Sequence, residues 1–213
     1  MNYVKSIWSL FVFKINNRFA KLSFLGVVMG VISACGHTPV SSMVKLRNFD
    51  PATTDVKQLS VAVVLPHEYR IQQGGVIMTL ELRKKDGSEK KMETFSLTTS
   101  LSSEDKLMLA KIKEPGRQVI AYRIRPYDIK RFNEIRKFTL EKRPIKQWEG
   151  SFNIGASACR LGENLPKTLP VSIYLKSSET KSFVPFIVNA DLMKESDGNK
   201  LHDTVPLCNS ANG

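Results

Sequence analysis

The chain has 213 residues, 42% of them hydrophobic and 24% charged, and carries a net charge of +12 from 32 lysines and arginines against 20 acids. That length accommodates one domain with a substantial core. No internal repeat is evident and no biased tract exceeds a few residues, which sets aside repeat arrays and low-complexity architectures.

The first 34 residues hold Lys5, Lys14, Arg18 and Lys21 and no acid, and the apolar run from Phe24 to Ala34 follows them. A charged segment before a short apolar run has the form of a secretory signal. The run is about half of the roughly 20 residues that a membrane-spanning helix requires. It ends in Ile32, Ser33, Ala34 and Cys35: an aliphatic residue, two small residues and a cysteine.

This ending resembles the lipobox of bacterial lipoproteins, and the resemblance covers residues 24 to 36. It implies that residues 1–34 are removed by signal peptidase II and that the thiol of Cys35 is diacylated. The new N-terminus is usually acylated as well. Gly36 stands where inner-membrane lipoproteins of some bacteria carry Asp, which favours the outer membrane. Two or three acyl chains, at roughly 0.8 kcal/mol per buried CH₂, hold a protein on a bilayer where one does not. A second apolar patch, Ile7 to Phe13, precedes the run, and an uncleaved anchor with Cys35 as an ordinary cysteine is the alternative. Either way the domain faces the periplasm from the cell envelope, and nucleic acid is not an expected partner.

Removing the four basic residues of the signal from 32 leaves 28 against 20 acids, a net of +8. A basic surface beside a membrane fits anionic neighbours such as phospholipid headgroups, lipopolysaccharide phosphates or acidic envelope glycans. Cys159 and Cys208 remain, an even number in an oxidising compartment, so a disulfide is expected between them. No CxxC motif or neighbouring histidine points to redox or metal chemistry.

Residues 35–56 are rich in Ser, Thr, Asp and Pro and read as the lipidated cysteine with its tether. A single periplasmic domain is expected over 57–208, with a loose tail at 209–213. Leu59 to Leu65 reads as a strand that stops at Pro66, and Gln73-Gly74-Gly75 as a turn entering the next one. Val76 to Leu82 and Lys91 to Thr98 should form an antiparallel hairpin across the turn at 84–88.

Ser102 and Asp105 have the spacing of a capping box and predict a short helix ending at Pro115-Gly116. Gln118 to Ile124 reads as a strand, and Pro126 opens a longer helix to about Lys142. On that helix Ile129, Phe132, Ile135 and Phe138 form an apolar stripe. Strand patterns return at 149–159, 169–176 and 182–188. The expected fold is α+β, an antiparallel sheet or sandwich of about six strands with two inserted helices and one disulfide.

No catalytic motif is present, and no cofactor or metal is implied. The pairs His67-Glu68 and His202-Asp203 are adjacent in sequence, which does not make a dyad on a strand or loop. Asp191, Glu195 and Asp197-Gly198-Asn199 lack the ligand order of an EF-hand. The strongest local hint is the segment from Arg123 to Arg143, eight basic residues against three acids. Within it Arg131, Arg136 and Lys137 are candidates for contact with an anionic surface. The expected activity is non-enzymatic: a membrane-anchored binding or assembly subunit, with an envelope protein or an anionic lipid or glycan as partner. The alternative is a carrier or chaperone that holds an apolar ligand against Phe132 and Phe138, and a cell-envelope hydrolase ranks below both.

Overall fold

The computed structural model describes residues 13–14, 39–99, 101–142, 147–163, 168–195 and 205–208. Seven strands form one antiparallel sheet that curls into a half-barrel: β1 (Ser60–Pro66), β2 (Tyr69–Lys84), β3 (Lys90–Thr98), β4 (Arg117–Ile124), β5 (Trp148–Arg160), β6 (Pro170–Lys176) and β7 (Val184–Asp191). The strand order is β5-β2-β3-β4-β1-β6-β7, and the two-residue strand Phe13–Lys14 flanks β5 on its outer side. Four helices accompany them: α1 (Val40–Leu46), α2 (Ser103–Ala110), α3 (Ile129–Lys142) and α4 (Leu192–Glu195). The α+β class is as expected, but each of the strand patterns read between Leu59 and Val188 forms a strand, making seven rather than six.

Two wings meet where β3 and β4 pair through only Leu97↔Ile124 and Thr98↔Arg123. In the β5-β2-β3 wing the long strand β2 pairs with β5 from Tyr69 to Lys84. The expected hairpin of β2 with β3 forms in register from Ile77↔Ser96 to Arg83↔Lys90. The predicted turn at Gln73-Gly74-Gly75 is instead a bulge inside β2, where the register shifts between Ile71 and Val76. Gly74 has φ +67, and a Cβ on Gly75 would lie 2.8 Å from the carbonyl oxygens of Gln72 and Ser157. The two glycines therefore let one strand kink where the periodicity alone suggests a break.

In the other wing β1 is central, paired with β4 and β6. Val61, Val63 and Leu65 enter the main core, while Ala62 and Val64 pack on the opposite face with Leu109, Ala121, Tyr174 and Phe183. Helix α2 covers that second face. Its N-terminus is capped as predicted, Ser102 Oγ accepting the Asp105 N–H at 3.1 Å. The Asp105 carboxylate turns to Lys176 on β6, 2.6 Å away. Arg117 fastens the strands, donating to the carbonyls of Val64 and Pro170 and to Asn189 Oδ1 on β7.

Helix α3 lies on the main-core face, where Phe132 and Ile135 are buried. Phe132 meets Phe95 of β3 edge to face at 5.4 Å. The region read as a tether departs from expectation: it contains α1, and Ala52, Thr54 and Val56 are buried against the domain. Phe49 stacks edge to face on Phe152 at 6.0 Å. Apolar contact from Phe49 and Val56 outweighs the local turn chemistry that marked the segment as linker.

Candidate functional site

Cys35, Gly36 and the apolar run before them lie outside the described residues, as do His37, His202 and residues 197–199. Within the described part of the N-terminal third, Phe13 and Lys14 pair antiparallel with Phe152 and Ser151, at the outer edge of β5. No described helix is long and apolar enough to cross a membrane.

Cys159 and Cys208 form the expected disulfide, with Cα atoms 5.0 Å apart and a sequence separation of 49. The bond belongs to a larger latch. The Arg160 N–H donates to Pro206 O, and the Cys208 N–H donates back to Arg160 O. The Arg160 guanidinium donates to Val205 O, Gly162 O and Glu163 O. Val205 is buried in the main core, so the latch closes one end of the domain with an apolar plug.

The three basic residues nominated on α3 have different surroundings. Arg131 is a clamp between helix and sheet: it donates to Thr94 O at 2.8 Å and to Asp128 Oδ1 at 3.2 Å. Its guanidinium also lies 4.5 Å from the centre of the Phe95 ring. Arg136 donates through Nε to Ala52 O at 2.9 Å, tying the docked N-terminal segment to α3. Lys137 is exposed. Two of the three charges thus have structural partners, although Arg131 keeps part of its side chain in solvent.

A different set of cations gathers where α3 ends. Lys84 faces Trp148 across the β2–β5 pair, and Lys91 faces Leu82 across β2–β3. By strand alternation Lys84, Lys91 and Trp148 share the face that carries Leu82, Phe95 and Phe152. Phe138 and Lys142, one helical turn apart on α3, meet them there. The Phe138 and Trp148 rings stand edge to face at 5.8 Å. Lys84 Nζ lies 5.5 Å from the Trp148 ring centre and Lys91 Nζ 4.6 Å from that of Phe138. Lys142 Nζ reaches both rings, at 5.5 and 5.8 Å. Among the described residues only Lys84 of the three has a carboxylate partner, Glu89 at 3.0 Å. The sequence reading missed this rim because its members come from four elements. The spacing from Phe138 to Lys142 was the one local signal.

Other ionisable groups serve the fold. Burial pushes the Asp105 carboxyl upward, but hydrogen bonds from Lys176 and Ser102 outweigh it, so its pKa lies below the usual carboxylate value. Burial raises the Tyr122 hydroxyl to about 12. His67 is exposed in the β1–β2 turn, where its backbone N–H donates to Gly116 O. Asp191 Oδ1 accepts the N–H groups of Leu169 and Met193, which fixes the β7–α4 corner. No group of three or more metal-ligating side chains occurs among the described residues.

The aromatic residues proposed to line a carrier cavity have other neighbours. Phe132 is fully buried against Phe95, and Phe138 packs on Trp148. Comparison with known proteins finds no matching family model, no matching curated protein and no matching solved structure.

Proposed function

We propose that the chain is a lipid-anchored envelope protein that acts without chemistry, as a binding or assembly subunit facing the periplasm. Cysteine usage carries the reading. One cysteine closes a signal-like run at Cys35, and the other two are bonded to each other in the folded domain, as suits an oxidising compartment. Removal of residues 1–34 takes Phe13 and Lys14 away from β5 at Ser151 and Phe152. At residues 153–158 no described segment pairs with that edge. An open edge of this length accepts an extended segment of a partner by β-augmentation, with backbone hydrogen bonds supplying affinity.

The test is crosslinking in intact cells followed by recovery of the wild-type protein and its Cys35→Ser form from membranes. The reading expects one or a few specific envelope proteins with the wild type and their loss with Cys35→Ser. Equal membrane recovery of both forms would contradict the anchor. A co-purifying lipid or glycan without any protein partner would favour the carrier reading.

A further inference from the structure

We propose that the rim formed by Lys84, Lys91, Lys142, Phe138 and Trp148 is a membrane-contact surface that seats the domain on an anionic phospholipid bilayer. The proposal rests on the lipid-anchored reading and adds an orientation to it. Three ammonium groups converge on two aromatic rings, yet only one has a carboxylate partner among the described residues. Ring quadrupoles offset part of their mutual repulsion. Phosphate groups would neutralise the remainder.

The side chains also suit the interface between water and lipid. Trp148 and Phe138 are half-buried and pack edge to face on each other, an apolar pair at the end of α3. Lysine stems lie along such surfaces while their ammonium groups remain at headgroup level. An indole ring prefers the same depth. Near an anionic membrane each lysine strengthens association roughly fivefold at low salt. The effect shrinks with ionic strength as the charges are screened.

The nominated stripe on α3 is less suited to this task. Arg131 and Arg136 already donate to carbonyl oxygens of the domain, and those bonds would have to break or be shared before either could serve a phosphate. Of the three rim lysines only Lys84, paired with Glu89, would make such an exchange. Their position at the C-terminal end of α3 also accords with the favourable interaction of cations with the helix dipole.

Trp148 supplies the readout, because the chain has only two tryptophans and the other, Trp8, lies before Cys35. The full-length gene carrying Trp8→Phe, expressed and processed in cells, would be reconstituted into vesicles with brominated acyl chains. Vesicles of phosphatidylcholine alone would be compared with vesicles containing phosphatidylglycerol. Trp148 fluorescence should be quenched at least twofold more in the anionic vesicles, and added sodium chloride should reverse the difference.

The triple variant Lys84→Glu, Lys91→Glu, Lys142→Glu should abolish the difference. Lys106→Glu, Lys111→Glu, Lys113→Glu makes the same change in charge at exposed positions on and after α2, and should retain it. A milder set, the same three rim lysines to Gln, should show an intermediate effect and serves if the Glu variant does not fold. Equal quenching in both vesicle types would overturn the proposal, as would equal loss in the control triple. So would reversal by inorganic phosphate at an ionic strength where chloride has no effect, which would mark a small-anion site. Vesicle flotation reports the anchor separately: protein that floats with unquenched Trp148 defeats only the membrane-contact surface, whereas protein that does not float defeats the anchor.

Discussion

Strands β1 and β5 belong to one sheet and face opposite demands. Every residue of β1 from Ser60 to Leu65 is buried, because α2 covers one face and the main core the other. β5 lies near one side of the sheet, flanked only by the two-residue Phe13–Lys14 strand, with Phe152 and Ile154 turned to the core. Ser151, Asn153, Gly155 and Ser157 alternate with them on the other face. The β1 wing is where apolar burial concentrates, at roughly 25 cal/mol per Å² removed from water. The β5 wing carries fewer buried apolar residues, and no described segment pairs with its outer edge at residues 153–158. The proposed function places recognition on the β5 wing and leaves stability to the β1 wing, and substitutions should separate the two.

The largest loss is expected from the core between the wings. Phe132→Ala should cost about 3–5 kcal/mol, the transfer term plus an aromatic-sized cavity against Phe95. Chemical denaturation would measure it. An unchanged midpoint would show that α3 is peripheral to the core.

The latch beside β5 comes next. Replacing Cys159 and Cys208 by Ser removes a cross-link over 49 residues and should cost on the order of 4 kcal/mol in the chain-entropy model. Partner recovery should fall with it, since the latch fixes one end of the β5 edge. A latch that matters only for stability would leave recovery unchanged below the melting transition.

The clamp of α2 onto β6 tests the β1 wing by pH. Asp105 is 1% exposed and its folded-state pKa is lowered, so the stability it contributes is present above the unfolded value of about 3.9. That contribution disappears as pH falls from there through the folded value. Asp105→Asn should be less stable than wild type at pH 7, by about 3 kcal/mol, because it leaves Lys176 with its buried counter-ion removed. The gap should narrow in acid. Parallel pH profiles would mean that the pair is not formed.

Much of the fold was legible in the chain, and the departures share a cause. The Ser102 cap, the β2–β3 hairpin and the 3-10 turn that Pro126 opens just before α3 are local events, written in residues within one or two turns of each other. Gly74 and Gly75 misled because a bulge in a continuous strand and a turn between strands use the same residues. The docked segment from Phe49 to Val56 was hidden because its polar composition marks a linker, whereas a few apolar side chains decide where it lies. Arg131 and Arg136 were read as surface charge, since their carbonyl acceptors, Thr94 and Ala52, come from distant parts of the chain. The rim lysines were missed for the same reason: Lys84 meets Trp148 only once the β2–β5 register is known.

The smallest stability effect belongs to the β5 face. Ser157→Ala, on the side away from the core, should change stability by less than about 0.5 kcal/mol. A loss comparable to that of Phe132→Ala would erase the distinction between the wings.

The most direct measurement is the intact mass of the membrane-extracted protein with sequencing of its N-terminal peptide. A chain beginning at Cys35 and carrying diacylglycerol on its thiol, with a further acyl group on its amine, is the predicted result. A chain that begins at Met1 with an unmodified Cys35 would contradict the lipid anchor and the periplasmic role built on it.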